Sequence, residues 1–154
     1  MSLQLNNIGG EIALGYDTTT GEKGILLKVL LGENVLKGQL LAVSPAANNK
    51  YVLQTSEYDT TCIAAEAGSS DESIWAWTTG SICEVLFRED TGSTRGYIAI
   101  SDSKDGYANE VDSSTIGGNP AISTHFKEVG HVKETVAAPT GGELALVLIH
   151  FHTL

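Results

Sequence analysis

Short apolar runs broken by clusters of turn residues set the character of this chain, and the stretch Asn34–Leu53 shows the pattern most clearly. Gln39 to Val43 is apolar and reads as extended, Ser44 to Lys50 carries Pro45 and the Asn48-Asn49 pair, and Tyr51 to Leu53 resumes β-type residues. Gly38 stands where a chain reverses with positive φ, a conformation open to a residue without Cβ. The reading is strand, turn, strand, and none of its polar groups forms a catalytic pattern. The same alternation recurs along the chain, without heptads, an internal repeat or a convincing helical spacing. Such a chain folds as all-β. Its 17 glycines against 3 prolines suit many short strands joined by turns, and 154 residues suffice for one domain with a sizeable core.

Residues 1–16 read as a first strand or as an arm that orders against a neighbour, with Leu3, Leu5, Ile8 and Ile12 as apolar contact candidates; residues 17–154 read as a single β-rich domain. After the turn cluster Asp17–Glu22, Gly24–Leu31 is dense in branched apolar residues and predicts a buried strand, with a short helix as the alternative. Cys62–Glu66 is a short apolar segment. In Ile74–Thr79 the period of two puts Trp75 and Trp77 on one strand face and Ile74 and Ala76 on the other. Cys83, Val85 and Phe87 form the core side of Ile82–Arg88. Glu89–Gly96 reads as a hairpin-like loop, Asp102–Tyr107 as a turn, and Asp112–Thr124 as an exposed aperiodic loop. Phe126–Glu134 and Glu143–His152 are β-rich arms joined by turn chemistry, which predicts a C-terminal β-hairpin.

Acidic residues outnumber basic ones by 19 to 9, for a formal net charge of −10 and a pI near 4.6. Nucleic-acid affinity rests on clustered cations that release counterions, and no basic run exists here, so no nucleic-acid partner is expected. The acidic surface serves solubility or steers the protein toward a basic protein surface. No apolar run has the length that spans a bilayer, and the N-terminus lacks the basic region and apolar core of a signal peptide, so neither a membrane partner nor export by that route is expected. Cys62 and Cys83 lie in apolar strand-like settings and fit buried thiols better than a disulfide framework.

Chemical signatures are sparse. His150 and His152 project from one face of the last strand, and His125 and His131 come from the strand it is expected to pair with, so these four are the candidate metal ligands; no His-Glu-x-x-His element or Cys-x-x-Cys knuckle accompanies them, and the expectation is no metal and no cofactor. Asp102–Gly106 resembles the start of a calcium loop with the acidic residues misplaced, and an Asp-Gly turn explains it as well. Ser93 lacks the Gly-x-Ser-x-Gly elbow, and no glycine-rich loop opens a helix to cradle phosphate. Trp75 and Trp77 are either core or subunit-contact residues, or a platform on which a sugar could stack. No enzyme is expected.

Val35–Val43, then Lys50–Leu53, Cys62–Glu66 and Thr79–Ile82, resemble the tailed-phage head decoration, or cement, proteins; Gly96–Gly106, His125–Val132 and Val147–Phe151 have a similar virion-protein character. The resemblance implies a small β-sandwich or β-barrel-like (β-tulip-like) domain with an extended N-terminal arm and a C-terminal β-hairpin. It also implies a non-catalytic homotrimer on the capsid exterior that clamps the major capsid protein, with Leu3, Leu5, Ile8, Ile12, Trp75 and Trp77 as capsid or subunit contacts. The competing expectation is a carbohydrate- or receptor-binding β-domain of a head fibre or similar appendage. Val35–Leu41 also resembles the hammerhead turn of biotinyl and lipoyl carrier domains, although no Met-Lys tip is present and only turn geometry is shared.

Overall fold

Twelve strands and no helix are found among the described residues of the computed structural model, which are 3–55, 59–88, 92–112, 127–137 and 142–151. The strands are β1 (Leu3–Gly9), β2 (Ile12–Asp17), β3 (Glu22–Leu31), β4 (Leu40–Val43), β5 (Lys50–Leu53), β6 (Cys62–Ala64), β7 (Ser73–Trp77), β8 (Ile82–Phe87), β9 (Ile98–Ser101), β10 (Ala108–Val111), β11 (Glu128–Val132) and β12 (Glu143–Ile149). All belong to one hydrogen-bonded network that closes on itself twice. In the first ring β3-β5-β4-β6-β7 returns to β3, and in the second β10-β9-β11-β12-β8 returns to β10. Closure of a sheet removes free edges, which are sites of unwanted strand addition.

Each ring has its own interior. Val29, Leu31, Leu41, Cys62, Ala64, Ile74 and Ala76 fill the first, and Cys83, Val85, Phe87, Ala99, Ala108, Val129, Val132, Ala145, Val147 and Ile149 fill the second. The rings are packed together by a cross-strand row on the outer face of the first: Leu40 opposes Ile63, Ile63 opposes Trp77, and Trp77 opposes Leu26. All four side chains belong to the second ring's cluster. Both faces of β7 are therefore enclosed at its C-terminal end, Ala76 toward one interior and Trp77 toward the other. A seam at Lys23 and Ile82 joins β3 to β8. There the Ser81 hydroxyl accepts from the Ile25 N–H at 3.0 Å, and Gly24 at φ 151° leaves room for it; a Cβ on Gly24 would collide with Ser81.

Most of the expected elements stand as read. The opening stretch is β4 and β5, paired antiparallel, with Gly38 at φ 85°. Gly24–Leu31 is strand and not helix, the core face of β8 is Cys83, Val85 and Phe87, and β11 pairs with β12 as the C-terminal hairpin. Cys62 and Cys83 are free and buried in different interiors; burial pushes the Cys62 thiol up to about 12 and the Cys83 thiol well above its ordinary value. One expectation fails. The segment Glu89–Gly96 does not close a hairpin, because β8 pairs with β12, β3 and β10 while β9 pairs with β10 and β11. A polar loop of that length reads the same whether it closes a hairpin or crosses a ring. Residues 89–91 of that segment and 113–124 of the expected exposed loop lie outside the described residues.

Candidate functional site

The N-terminal strands form a hairpin, β1 with β2, which attaches to the body through six β2–β3 residue pairs running from Ile12 opposite Leu27 to Asp17 opposite Glu22. Asn7 and Gly10 make its turn: the Asn7 side-chain oxygen accepts from the Gly9 N–H at 3.0 Å, and Gly10 sits at φ 54°. The sequence Ile-Ala-Leu-Gly-Tyr in β2 would ordinarily place its large residues inward. The structure places them outward. Ala13 is buried and Gly15 lies under Leu26, where a Cβ would collide with that side chain, so only small residues fit the inner face.

The consequence is an apolar face directed at solvent. Leu14 stands opposite Ile25 across β2 and β3, with Ile12 and Tyr16 on either side, and these four are 43 to 54% exposed. Leu5 and Ile8 are also exposed on β1, Ile8 at 64%; Leu5 opposes Gly15 and therefore lies on the other face of the hairpin from Leu14. The outer edge of β1 pairs with no other strand among the described residues. Between Leu3 and Tyr16 the only charged residue is Glu11, in a chain whose net charge is −10. Single exposed apolar side chains are ordinary; here four large ones adjoin on β2 and β3, with Lys23 opposite Tyr16 at one end of the row, and that grouping makes the hairpin the candidate interaction surface. Of the contact residues expected from sequence, Leu5, Ile8 and Ile12 lie on this hairpin and are exposed, while Leu3 packs against the second ring's cluster. Leu14, Tyr16 and Ile25 were missed; the alternation of large and small residues in β2 was the available signal.

The two tryptophans part company. Trp77 is fully buried, so it belongs to the packing between rings and offers nothing to a surface contact. Trp75 is half-buried, and the Lys28 ammonium lies 4.9 Å from its ring centroid, a cation–π arrangement that occupies the indole face. The structure thus does not present two indole faces for a sugar.

Lys37, next to the carrier-like turn, is tied down. Its ammonium donates to Glu22 at 3.0 Å and to Glu84 at 3.2 Å, and Glu22 in turn accepts from the Glu84 N–H. Burial works against the Lys37 charge, but hydrogen bonding to Glu22 and the charges of Glu22 and Glu84 outweigh it, and its pKa lies above the ordinary lysine value. Glu84 is also raised, first by burial; Lys37 opposes that shift, while Glu22 and Glu134 add to it. The cluster pins β3 and β8 to the turn before β4 and leaves no mobile lysine arm. Asp102 likewise acts as a turn organiser, accepting from the Lys104 N–H at 2.8 Å and from the Asn109 amide at 3.1 Å, which accounts for the calcium-like spacing.

Of the four histidines, His131 and His150 come together on the outer face of β11 and β12, their rings stacked 6.1 Å apart, and Glu128 joins them. His125 and His152 lie outside the described residues.

The domain is thus all-β, with two rings that are antiparallel apart from one parallel pairing each, β3 with β5 and β8 with β10, and a hairpin at one end. No protein-family model matches the sequence, and no curated protein matches it either. Among solved structures, the fold is similar to the head fiber gp8.5 N base of bacteriophage phi29, with a TM-score of 0.51 and 15% sequence identity over 81% of this chain and 92% of that one.

Proposed function

We propose that this protein is a structural component of a bacteriophage head, the base domain of a head fibre or similar appendage that docks on the capsid exterior. The observation that carries the reading is the apolar, almost uncharged hairpin of residues 3–16, which needs a partner surface, set on a fold similar to a head-fibre base. The fibre-base reading is preferred to the cement reading that the sequence suggested, because the likeness spans most of both chains. Its partners are then the major capsid protein and further copies of itself, taken as a homotrimer, and its role is mechanical and not catalytic. Many symmetric copies give avidity without a strong single interface.

The test is to purify virions, count copies of this protein, and then measure capsid binding of the wild type and of a variant with Ile8, Leu14 and Tyr16 replaced by serine. Presence in the virion and loss of capsid binding in the variant are the expected results. Absence from the virion or undiminished binding of the variant would sink the proposal.

A further inference from the structure

We infer that Glu128, His131 and His150 form a binding site for a divalent transition ion of the zinc class. The Glu128 Oε1 atom lies 3.5 Å from His131 Nε2 and 3.7 Å from His150 Nδ1, and all three candidate ligand atoms fall within 4.8 Å of one another. These separations are long for hydrogen bonds. The two carboxylate–imidazole separations are within a few tenths of an ångström of the edges of a coordination tetrahedron, where metal–ligand bonds of about 2.0–2.1 Å put neighbouring donor atoms about 3.3–3.4 Å apart, and the third pair, within 4.8 Å, closes by a small side-chain rotation at the exposed imidazoles.

The backbone produces the cluster. In a regular strand Glu128 and His131, three positions apart, would face opposite sides of the sheet. The pairing of β11 with β9 is irregular between Glu128 and Gly130; Val129, inside that break, and Val132, beyond it, are both buried, while His131 is exposed. A bulge re-aims side chains in this way and recurs beside functional sites. Gly130 has no room for a Cβ, which would collide with the Leu148 carbonyl. His150 arrives from β12: His131 opposes Leu148, so His150 is its diagonal neighbour on the same face, and the two rings lie within 17° of parallel. The Glu128 side chain is 12% exposed and the two imidazoles about half exposed, so the carboxylate is held at the base and the nitrogens stand at the rim.

Donor chemistry selects the ion. Two imidazole nitrogens and one carboxylate oxygen suit zinc, nickel or copper, whereas calcium and magnesium prefer oxygen throughout. Three protein ligands leave at least one coordination position for water or for a group from a partner. A bound ion would clamp the end of β12 to β11.

The experiment is isothermal titration of the full chain with zinc chloride, with cobalt(II) as a spectroscopic probe of the ligand field. The expected result is one saturable zinc per chain, tetrahedral-type cobalt absorption, and at least a tenfold loss of affinity in Glu128→Gln, His131→Asn and His150→Asn, each checked for an unchanged circular dichroism spectrum. Zinc uptake that persists in the His131→Asn/His150→Asn double variant would overturn the assignment, as would no saturable uptake by the wild type. Equal competition by excess calcium would overturn the choice of ion. If one of the single variants loses its fold, the double variant and the wild-type cobalt spectrum decide the question.

Discussion

The molecule carries a β-hairpin near each end of its described chain, and the two are built on opposite terms. The N-terminal pair β1–β2 pairs with the body along one strand, has an edge on β1 that is unpaired among the described residues, and leaves large apolar side chains in solvent. The C-terminal pair β11–β12 is bordered by β9 on one side and β8 on the other, and Val129, Val132, Ala145, Val147 and Ile149 from its strands are buried in the second ring. Hydrophobic content alone does not separate them. What separates them is whether the chain supplies its own cover: β12 has it from six residue pairs with β8 and from the ring interior, while β2 leaves its large residues exposed.

That contrast is open to measurement. The largest effect is expected in the second ring, where Phe87→Ala removes a fully buried aromatic and should cost about 3–5 kcal/mol in urea unfolding. Next comes Gly130→Ala, which forces a methyl group against the Leu148 carbonyl in the C-terminal hairpin; a loss of about 1–3 kcal/mol is expected, and a neutral result would refute the bulge geometry. Glu143 opens β12 with both carboxylate oxygens buried and without a hydrogen-bond partner among the described residues. Its pKa is raised by burial, with Glu110 and Glu134 adding to the shift. A carboxyl group with a raised folded-state pKa binds more protons folded than unfolded, so stability falls as pH climbs from about the ordinary 4.5 through the raised value. Glu143→Gln should remove that dependence and raise the neutral-pH Tm by about 2–4 °C, read by thermal melts across that window. The smallest stability effect belongs to the N-terminal hairpin: Leu14→Ser and Tyr16→Ser should each stay within about 0.5 kcal/mol of wild type. Amide exchange in β1 should be far faster than in β12. A strong destabilisation by Leu14→Ser would mean that the hairpin supports the monomer, and the comparison would fail.

The strands were legible because local chemistry favours them: short apolar runs such as Gly24–Leu31, for which a short helix was the alternative, and Glu143–Ile149, bounded by turn residues such as Gly38 and Gly106 elsewhere in the chain, read as extended. Ring closure was not legible. The β8–β10 contact rests on a single residue pair, Phe87 with Ala108, between segments that share no pattern. The site residues show the same division. Leu5, Ile8 and Ile12 could be named from sequence, but the outward turn of Leu14 and Tyr16 depends on Leu26 filling the space above Gly15, a contact made across strands. Glu128 escaped for a different reason. Strict alternation separates it from His131, and only the irregular register beside Gly130 reunites them.

The seam strand β3 has one more implication. It pairs with β2, β5, β7 and β8, so it is the element that touches the hairpin and both rings. Among the described residues, β3 is the only body strand that pairs with the hairpin, and the packing of Leu3 against the second ring's cluster is a side-chain contact beside it. A pull parallel to it strains the ladder bonds to β2 and β7 together, in shear, while a pull across it opens them one at a time. Resistance to detachment of the hairpin should therefore depend on the direction of force.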